Sequence, residues 1–320
     1  MATRTSGDVV PCCVGESLNC NLNYSTFSQV WNGNSMKELR KKMMDGKKSF
    51  ICMKCYREEE VGISSQRIRS NELWKKHFSF EDLIERTDRD GFFRGNFTYL
   101  DLRLGNKCNL VCNMCGPSDA IGWNSMAQKI YKQANTLPLK EYMKKHMLNL
   151  NNMELQKWYA RPEIIQDIYD NLQHIKRITI AGGEPLLIKE HYDLLDACIR
   201  KKVSGNISIN YHTNGTVIRP ELFDKWKQFK SVMLFVSLDD LRERNYYIRY
   251  PCSWKLIEEN LDIIDNKTPE NVNSMIMCTV QAMNIFYLPE FISWLSSKKY
   301  KKIHVESYYD CVIHTEVVHN

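Results

Sequence analysis

The sequence predicts an α/β fold: a partial (β/α)6 barrel, open on one side, behind a small N-terminal α+β metal-binding module. Three observations predict it. From residue 97 onwards, β-branched or alternating runs take turns with helical periodicities. A cysteine-rich loop at 108–115 and a Gly-Gly pair at 182–183 each follow such a run, and parallel α/β sheets place their sites at the C-terminal strand ends. Residues 1–60 hold Cys12, Cys13, Cys20, Cys52 and Cys55 but few large aliphatic side chains, so a bound metal would compensate for a small core.

The strand-like runs are 97–104, 177–183, 206–213, 232–238, 273–280 and 302–306. The run 206–213 alternates apolar and polar residues, whereas 232–238 is continuously apolar and reads as a strand buried on both faces. Helical spacing appears between them in Ile164, Ile168, Leu172 and Ile175, in Tyr192, Leu195 and Ile199, in Ile257, Leu261 and Ile264, and in Phe291 and Leu295. Pro220 opens another helix, carrying Leu222, Trp226 and Phe229, at a position that suits proline. Repeated β–α–β units demand parallel pairing and right-handed crossovers. Residues 119–160 interrupt the first unit, and Trp123, Met126, Ile130, Met143, Met147 and Trp158 make them apolar enough to pack as helices. The expected domains are the module at 1–60, a polar linker at 61–96, the barrel at 97–310 and a tail at 311–320.

Composition excludes several classes. Apolar content of 43% and charged content of 26% are ordinary for a globular chain. No apolar run approaches the ~20 residues of a membrane span, and the N-terminus lacks the apolar centre of a signal peptide. A cytoplasmic location is expected, where cysteines favour metal ligation over disulfides. The net charge of +6 is spread along the chain, so no basic patch suggests nucleic acid as a partner.

The loop Cys108-Asn-Leu-Val-Cys112-Asn-Met-Cys115 has C-x3-C-x2-C spacing. Three thiolates can hold three corners of a cubic iron–sulfur cluster and leave the fourth iron open, whereas fully ligated clusters use four cysteines. Half of a zinc site is the alternative, although zinc pairs usually read C-x2-C or C-x4-C.

This loop resembles the signature of the radical S-adenosylmethionine (SAM) superfamily, with Met114 at the apolar place near the adenine. Gly182-Gly183-Glu184-Pro185 resembles that superfamily's GGE motif, which implies binding of the SAM ammonium by backbone and carboxylate. Thr213-Asn214-Gly215 after the third strand, Ser237-Leu238-Asp239 after the fourth, and Val280 with Asn284 after the fifth match in order. The resemblance implies that these residues, with Arg249 opposite the SAM carboxylate, line the cofactor site. Read singly, Thr-Asn-Gly is a common turn and Ser-Leu-Asp-Asp a helix cap.

The N-terminal module resembles the twitch or SPASM auxiliary-cluster domains, with Cys12 or Cys13, Trp31-Asn32, and Cys52 with Cys55 in the matching places. It departs from them in preceding the barrel and in lacking the cysteine ahead of the hairpin. Cys12, Cys13 and Cys20 therefore compete for the remaining places, and Cys311 is a further choice; a zinc knuckle on the same ligands is the alternative.

The resemblance implies a [4Fe–4S] cluster, SAM and a second iron–sulfur cluster as cofactors. It implies reductive cleavage of SAM, hydrogen abstraction from a peptide or small metabolite, and a flavodoxin- or ferredoxin-like reductase. The alternatives are a radical SAM enzyme modifying RNA and a non-enzymatic zinc-binding adaptor. Tyr211, His212, Glu306 and Tyr308 stand near strand ends as candidates for proton transfer, but the motifs name no catalytic acid or base.

Overall fold

The computed structural model describes residues 1–144 and 153–304. Met147, Glu306, Tyr308, Cys311 and the tail at 311–320 lie outside the described residues. A short hairpin, β1 (Ala2–Thr3) and β2 (Val9–Val10), opens the chain, and Gly7 makes its turn at a φ of 88°. Thr26 then starts α1 (Phe27–Trp31) with a capping box shared with Gln29. α2 (Asn34–Met44) and α3 (Met53–Glu60) complete the module. Residues 61–96, read above as a linker, contain α4 (Gln66–Trp74) and α5 (Phe80–Glu85), each capped by a serine. The Trp74 ring packs 5.9 Å from that of Tyr99.

The barrel strands are β3 (Tyr99–Arg103), β4 (Arg177–Ala181), β5 (Ser208–Thr213), β6 (Ser231–Ser237), β7 (Val272–Met277) and β8 (Ile303–His304). All six expected runs are strands, and each pairs in parallel with the next. The module is joined to this sheet rather than set apart from it. β1 lies parallel to β3 with Ala2 opposite Asp101, so the sheet runs β2-β1-β3-β4-β5-β6-β7-β8. The insertion forms α6 (Trp123–Gln133) and α7 (Leu137–Met143), and Met143 and Trp158 are fully buried, as core packing requires. Met126 and Ile130 stay exposed.

α8 (Pro162–Asn171), α9 (Lys189–Arg200), α10 (Glu221–Trp226), α11 (Arg242–Ile248), α12 (Trp254–Lys267) and α13 (Leu288–Lys298) follow in chain order. Their apolar faces join the outward residues of the strands: Leu100, Ile178, Ile209, Tyr211, Leu234 and Ile276 all lie in one core with Ile164, Leu195, Trp226 and Leu261. The inner face differs. Asn210, Met233, Phe235, Asn273 and Met275 are only half-buried and His212 is exposed. β6 therefore is not buried on both faces, as its apolar run suggests. Met233 and Phe235 point into an open concavity, and only Val232, Leu234 and Val236 are packed under helices.

Candidate functional site

The cysteine loop leaves β3 through Gly105 and runs beside the Gly-Gly pair. Gly183 N donates to Gly105 O at 3.0 Å and Glu184 N to Lys107 O at 2.8 Å. A Cβ on Gly183 would lie 2.4 Å from Lys107 O, and one on Gly182 would lie 2.7 Å from Gly105 O. Gly182 also holds a φ of 126°. The two glycines are required here by the close approach of the cysteine loop.

Glu184 is fully buried. Its Oε1 accepts from Thr213 Oγ1 at 2.9 Å and from Leu186 N at 3.1 Å, and its Oε2 accepts from Asn214 N at 2.7 Å. The carboxylate thus ties the end of β4 to the end of β5. Burial pushes its pKa up to about 7, against these hydrogen bonds. Pro185 is buried and opens a short turn at Pro185–Leu187. Asn214 continues the linkage: its Nδ2 meets Asn109 Oδ1 at 2.9 Å and Cys108 Sγ at 3.7 Å. Asn109 in turn reaches Thr216 Oγ1 at 2.8 Å.

A second group joins the opposite side of the loop. Asp239 is fully buried after β6, and its Oδ1 accepts from Thr279 N at 2.8 Å. Arg249 Nε lies 2.7 Å from Asp239 Oδ2, an ion pair whose N–H is not aligned as a hydrogen bond. Arg249 Nη1 lies 4.0 Å from Cys112 Sγ. Asn284 is buried, donating to the carbonyls of Asp239 at 3.0 Å and Thr279 at 2.9 Å. Ser237, Val280 and Met114 are half-buried nearby in the chain. Tyr211 is excluded from the site: it is outward and fully buried, and its hydroxyl lies 2.6 Å from His191 Nε2. His212 is on the inner face, stacked on Phe235 at 4.9 Å.

Several supports leave no trace in the motifs. Val111 N donates to Tyr250 O at 2.6 Å, Asn113 N to Ile248 O at 2.8 Å, and Trp123 Nε1 to Cys112 O at 3.0 Å. The segment after α11 is thus a backbone shelf for the cysteine loop. Only the asparagines between the cysteines, Asn109 and Asn113, hint at it by their hydrogen-bonding capacity.

The three thiols suit a cationic cluster. A hydrogen bond from Cys115 lowers the Cys112 pKa below the usual thiol range, and Arg249 adds to this; the Cys115 thiol is raised as the donor. Burial pushes Cys108 up to about 11. Among the described residues, no three His, Cys, Asp or Glu side chains converge on a single ion. A cube holds its ligands at separate corners, so such convergence is not needed. In the module, burial raises Cys12, Cys52 and Cys13, the last to about 11. Cys55 adds to the rise at Cys12, and Cys12 and Cys55 add to that at Cys52, as like charges that a metal would relieve. Cys13 feels Asp101 and Arg103 of β3 as well as Cys12, and Cys20 Sγ contacts Leu18 O at 3.5 Å. Glu16 N bonds Ile51 O at 3.0 Å, which brings the Cys12 loop to the Cys52 turn.

No helix among the described residues is long and apolar enough to cross a membrane. No curated protein matches the chain. Solved structures do. One is "Native anSMEcpe with bound AdoMet and Cp18Cys peptide", at 18% identity and a TM-score of 0.39, covering 64% of this chain and 49% of that one. Another is Streptococcus suis SuiB bound to precursor peptide SuiA, at 17% identity and a TM-score of 0.34, covering 80% of this chain and 49% of that one. The chain thus spans about half the length of these structures. Residues 1–56 match the SPASM iron–sulfur cluster-binding domain, which brings a second iron–sulfur cluster beside the [4Fe–4S] cluster and SAM of the barrel. Residues 102–281 match the radical SAM superfamily over more than half the chain, and the protein belongs to that superfamily.

Proposed function

We propose that this protein reductively cleaves SAM and abstracts a hydrogen atom from a peptide substrate. One observation carries the reading: the cysteine loop is bonded on one side to Gly183 and Glu184 and approached on the other by Arg249, at the C-terminal ends of parallel strands above a half-open inner face. A bound cluster would supply the one-electron reducing chemistry that cleavage of the SAM sulfonium requires. Cys108, Cys112 and Cys115 would hold it. Glu184 would meet the SAM ammonium. Two carboxylate oxygens offer about four lone-pair sites, and three are used by Thr213, Leu186 and Asn214, so Oε2 keeps one.

Arg249 and Ser237 would meet the SAM carboxylate and ribose, and Met114, Val280 and Asn284 the adenine side. Thr213, Asn214, Pro185 and Asp239 hold these groups in place through the contacts described above. In the module, Cys12, Cys52 and Cys55 would bind the second cluster, with Cys13 or Cys20 completing it. The half-buried amides of the inner face, Asn210 and Asn273, suit an amide-rich substrate. A flavodoxin- or ferredoxin-like protein would deliver the electron. The test is a pool of short peptides added to anaerobically reconstituted protein with SAM and reductant. Deuterium transfer from a labelled peptide into 5′-deoxyadenosine is expected. Transfer from labelled metabolites alone, with none from any peptide, would refute the peptide reading.

A further inference from the structure

The fold gathers on one side of the molecule cations that lie far apart in the sequence. A cleft of about 480 Å³ is lined by His77, His174, Lys176, Arg177, Ser208 and Lys230. Lys176 precedes β4, Arg177 and Ser208 start β4 and β5, and Lys230 precedes β6. The cleft therefore sits at the N-terminal strand ends, and the five residues of β3 and of β4 part it from the cysteine loop by about 16 Å. His77, His174, Lys176 and Lys230 are exposed and Arg177 is half-buried. No carboxylate lines the cleft, and Lys176, Arg177 and Lys230 form no ion pair among the described residues. Desolvation and then the charges of Lys176, Lys230, Arg177 and Lys76 hold the His77 pKa below the ordinary histidine value. An anionic ligand would relieve this crowding of like charge.

An apolar groove of about 610 Å³ adjoins the cleft, and Trp74, Gln173, His174 and Lys176 line both. α2 and α5 wall the groove with Met43, Met44, Phe80, Leu83 and Ile84. Of these, Met43, Phe80 and Ile84 are exposed. Its charged lining is again cationic, with Arg40, Arg86 and Lys176 and no carboxylate. Each cavity alone has the size that holds a small molecule, so together they suit an extended chain carrying both apolar and anionic groups. Nucleic acid binds such surfaces by stacking bases on open aromatic faces. Here the Trp74 ring is already stacked on Phe78 at 6.2 Å and packed against Tyr99 at 5.9 Å. The α2 and α5 walls offer mainly flexible Met, Leu and Ile side chains, which suit the aliphatic groups of a peptide.

We propose that the groove and the cleft dock an acidic, apolar segment of the peptide substrate, its aliphatic side chains against α2 and α5 and its carboxylates on Lys176, Arg177 and Lys230. This rests on the peptide reading above. The segment lies at the end of the sheet remote from the cysteine loop, so it holds the substrate without touching the reacting residue. At about 3.3 Å per residue, at least about five extended residues must separate the two.

The test uses the reconstituted chain and short fluorescein-labelled probes, read by anisotropy at about 0.15 M salt. One peptide alternates Glu and Leu; two controls replace every Glu by Gln or every Leu by Ser, and a fourth probe is oligothymidylate. The Glu–Leu peptide should bind about tenfold more tightly than the Gln–Leu one, the joint worth of three exposed ion pairs. The Glu–Ser peptide should also bind more weakly, because the groove then gains no apolar contact. Lys176→Ala/Arg177→Ala/Lys230→Ala should erase the preference for Glu over Gln. Phe80→Ser/Ile84→Ser should weaken the Glu–Leu and Gln–Leu peptides alike. Iron content and thermal midpoint check the fold of each variant. No binding of the Glu–Leu peptide, an undiminished Glu preference in the triple variant, equal binding of Glu–Ser and Glu–Leu, or tighter binding of oligothymidylate would each overturn the assignment. All four leave intact the peptide reading, which deuterium transfer tests. Binding as expected, with transfer from no peptide, would overturn the peptide reading and with it the substrate as occupant.

Discussion

Arg249 is paired with Asp239 at 2.7 Å while its Nη1 stands 4.0 Å from the sulfur of Cys112. Asp239 is fully buried and the Arg249 side chain is 9% exposed. The pair joins the ends of β6 and β7 to the cysteine loop, because Asp239 also binds Thr279 N. Breaking one half of a buried pair strands the other charge in a dry site, at a cost of about 3–5 kcal/mol. Asp239→Asn keeps an acceptor for Thr279 but leaves Arg249 uncompensated. Urea unfolding of this variant should show a loss in that range, and a loss below about 1 kcal/mol would mean that solvent reaches the pair.

Glu184 should make SAM binding depend on pH. Burial raises its folded pKa to about 7 from 4.5, so the native state holds the proton between those values and the unfolded state does not. Its contribution to stability is therefore present below about 4.5 and lost as pH rises through about 7. A bound ammonium favours the ionised form, so SAM affinity should rise by about tenfold per unit up to pH 7 and then level off. In Glu184→Gln the rise should vanish. Calorimetry that finds the same slope in native and variant protein would remove Glu184 from the ammonium site.

Gly183→Ala tests the packing of the loop. Its Cβ would meet the Lys107 carbonyl at 2.4 Å, a backbone atom with little room to move. The variant should lose about 1–3 kcal/mol through overpacking and bind less iron after reconstitution. Native iron content at native stability would show that the loop does not lie this close.

The module should keep iron when the barrel loop cannot. In Cys108→Ala/Cys112→Ala/Cys115→Ala, iron measured after anaerobic reconstitution should persist, and adding Cys52→Ala/Cys55→Ala should abolish it. Zinc in its place, or no metal, would contradict the second cluster.

Much of this arrangement is legible in residues 97–304, because strand and helix periodicities are local and the motifs stand at successive strand ends. What is not legible has physical reasons. The shelf from Tyr247 to Tyr250 supports the cysteine loop through backbone carbonyls, and carbonyls carry no side-chain pattern. The apolar run in β6 suggests burial on both faces, yet Met233 and Phe235 line the open inner face. Residues 61–96 look like a linker because they are polar, and Ile68 and Phe80 stay exposed even though helices form. The joining of the module to the barrel rests on Ala2 opposite Asp101, a pairing between residues far apart in sequence.

The central claim is that Cys108, Cys112 and Cys115 support reductive cleavage of SAM. The most direct measurement is 5′-deoxyadenosine formed from SAM under reducing, anaerobic conditions, by the native protein and by the variant with all three replaced by alanine. The native protein should form it and the variant should form none; equal formation by both would contradict the claim.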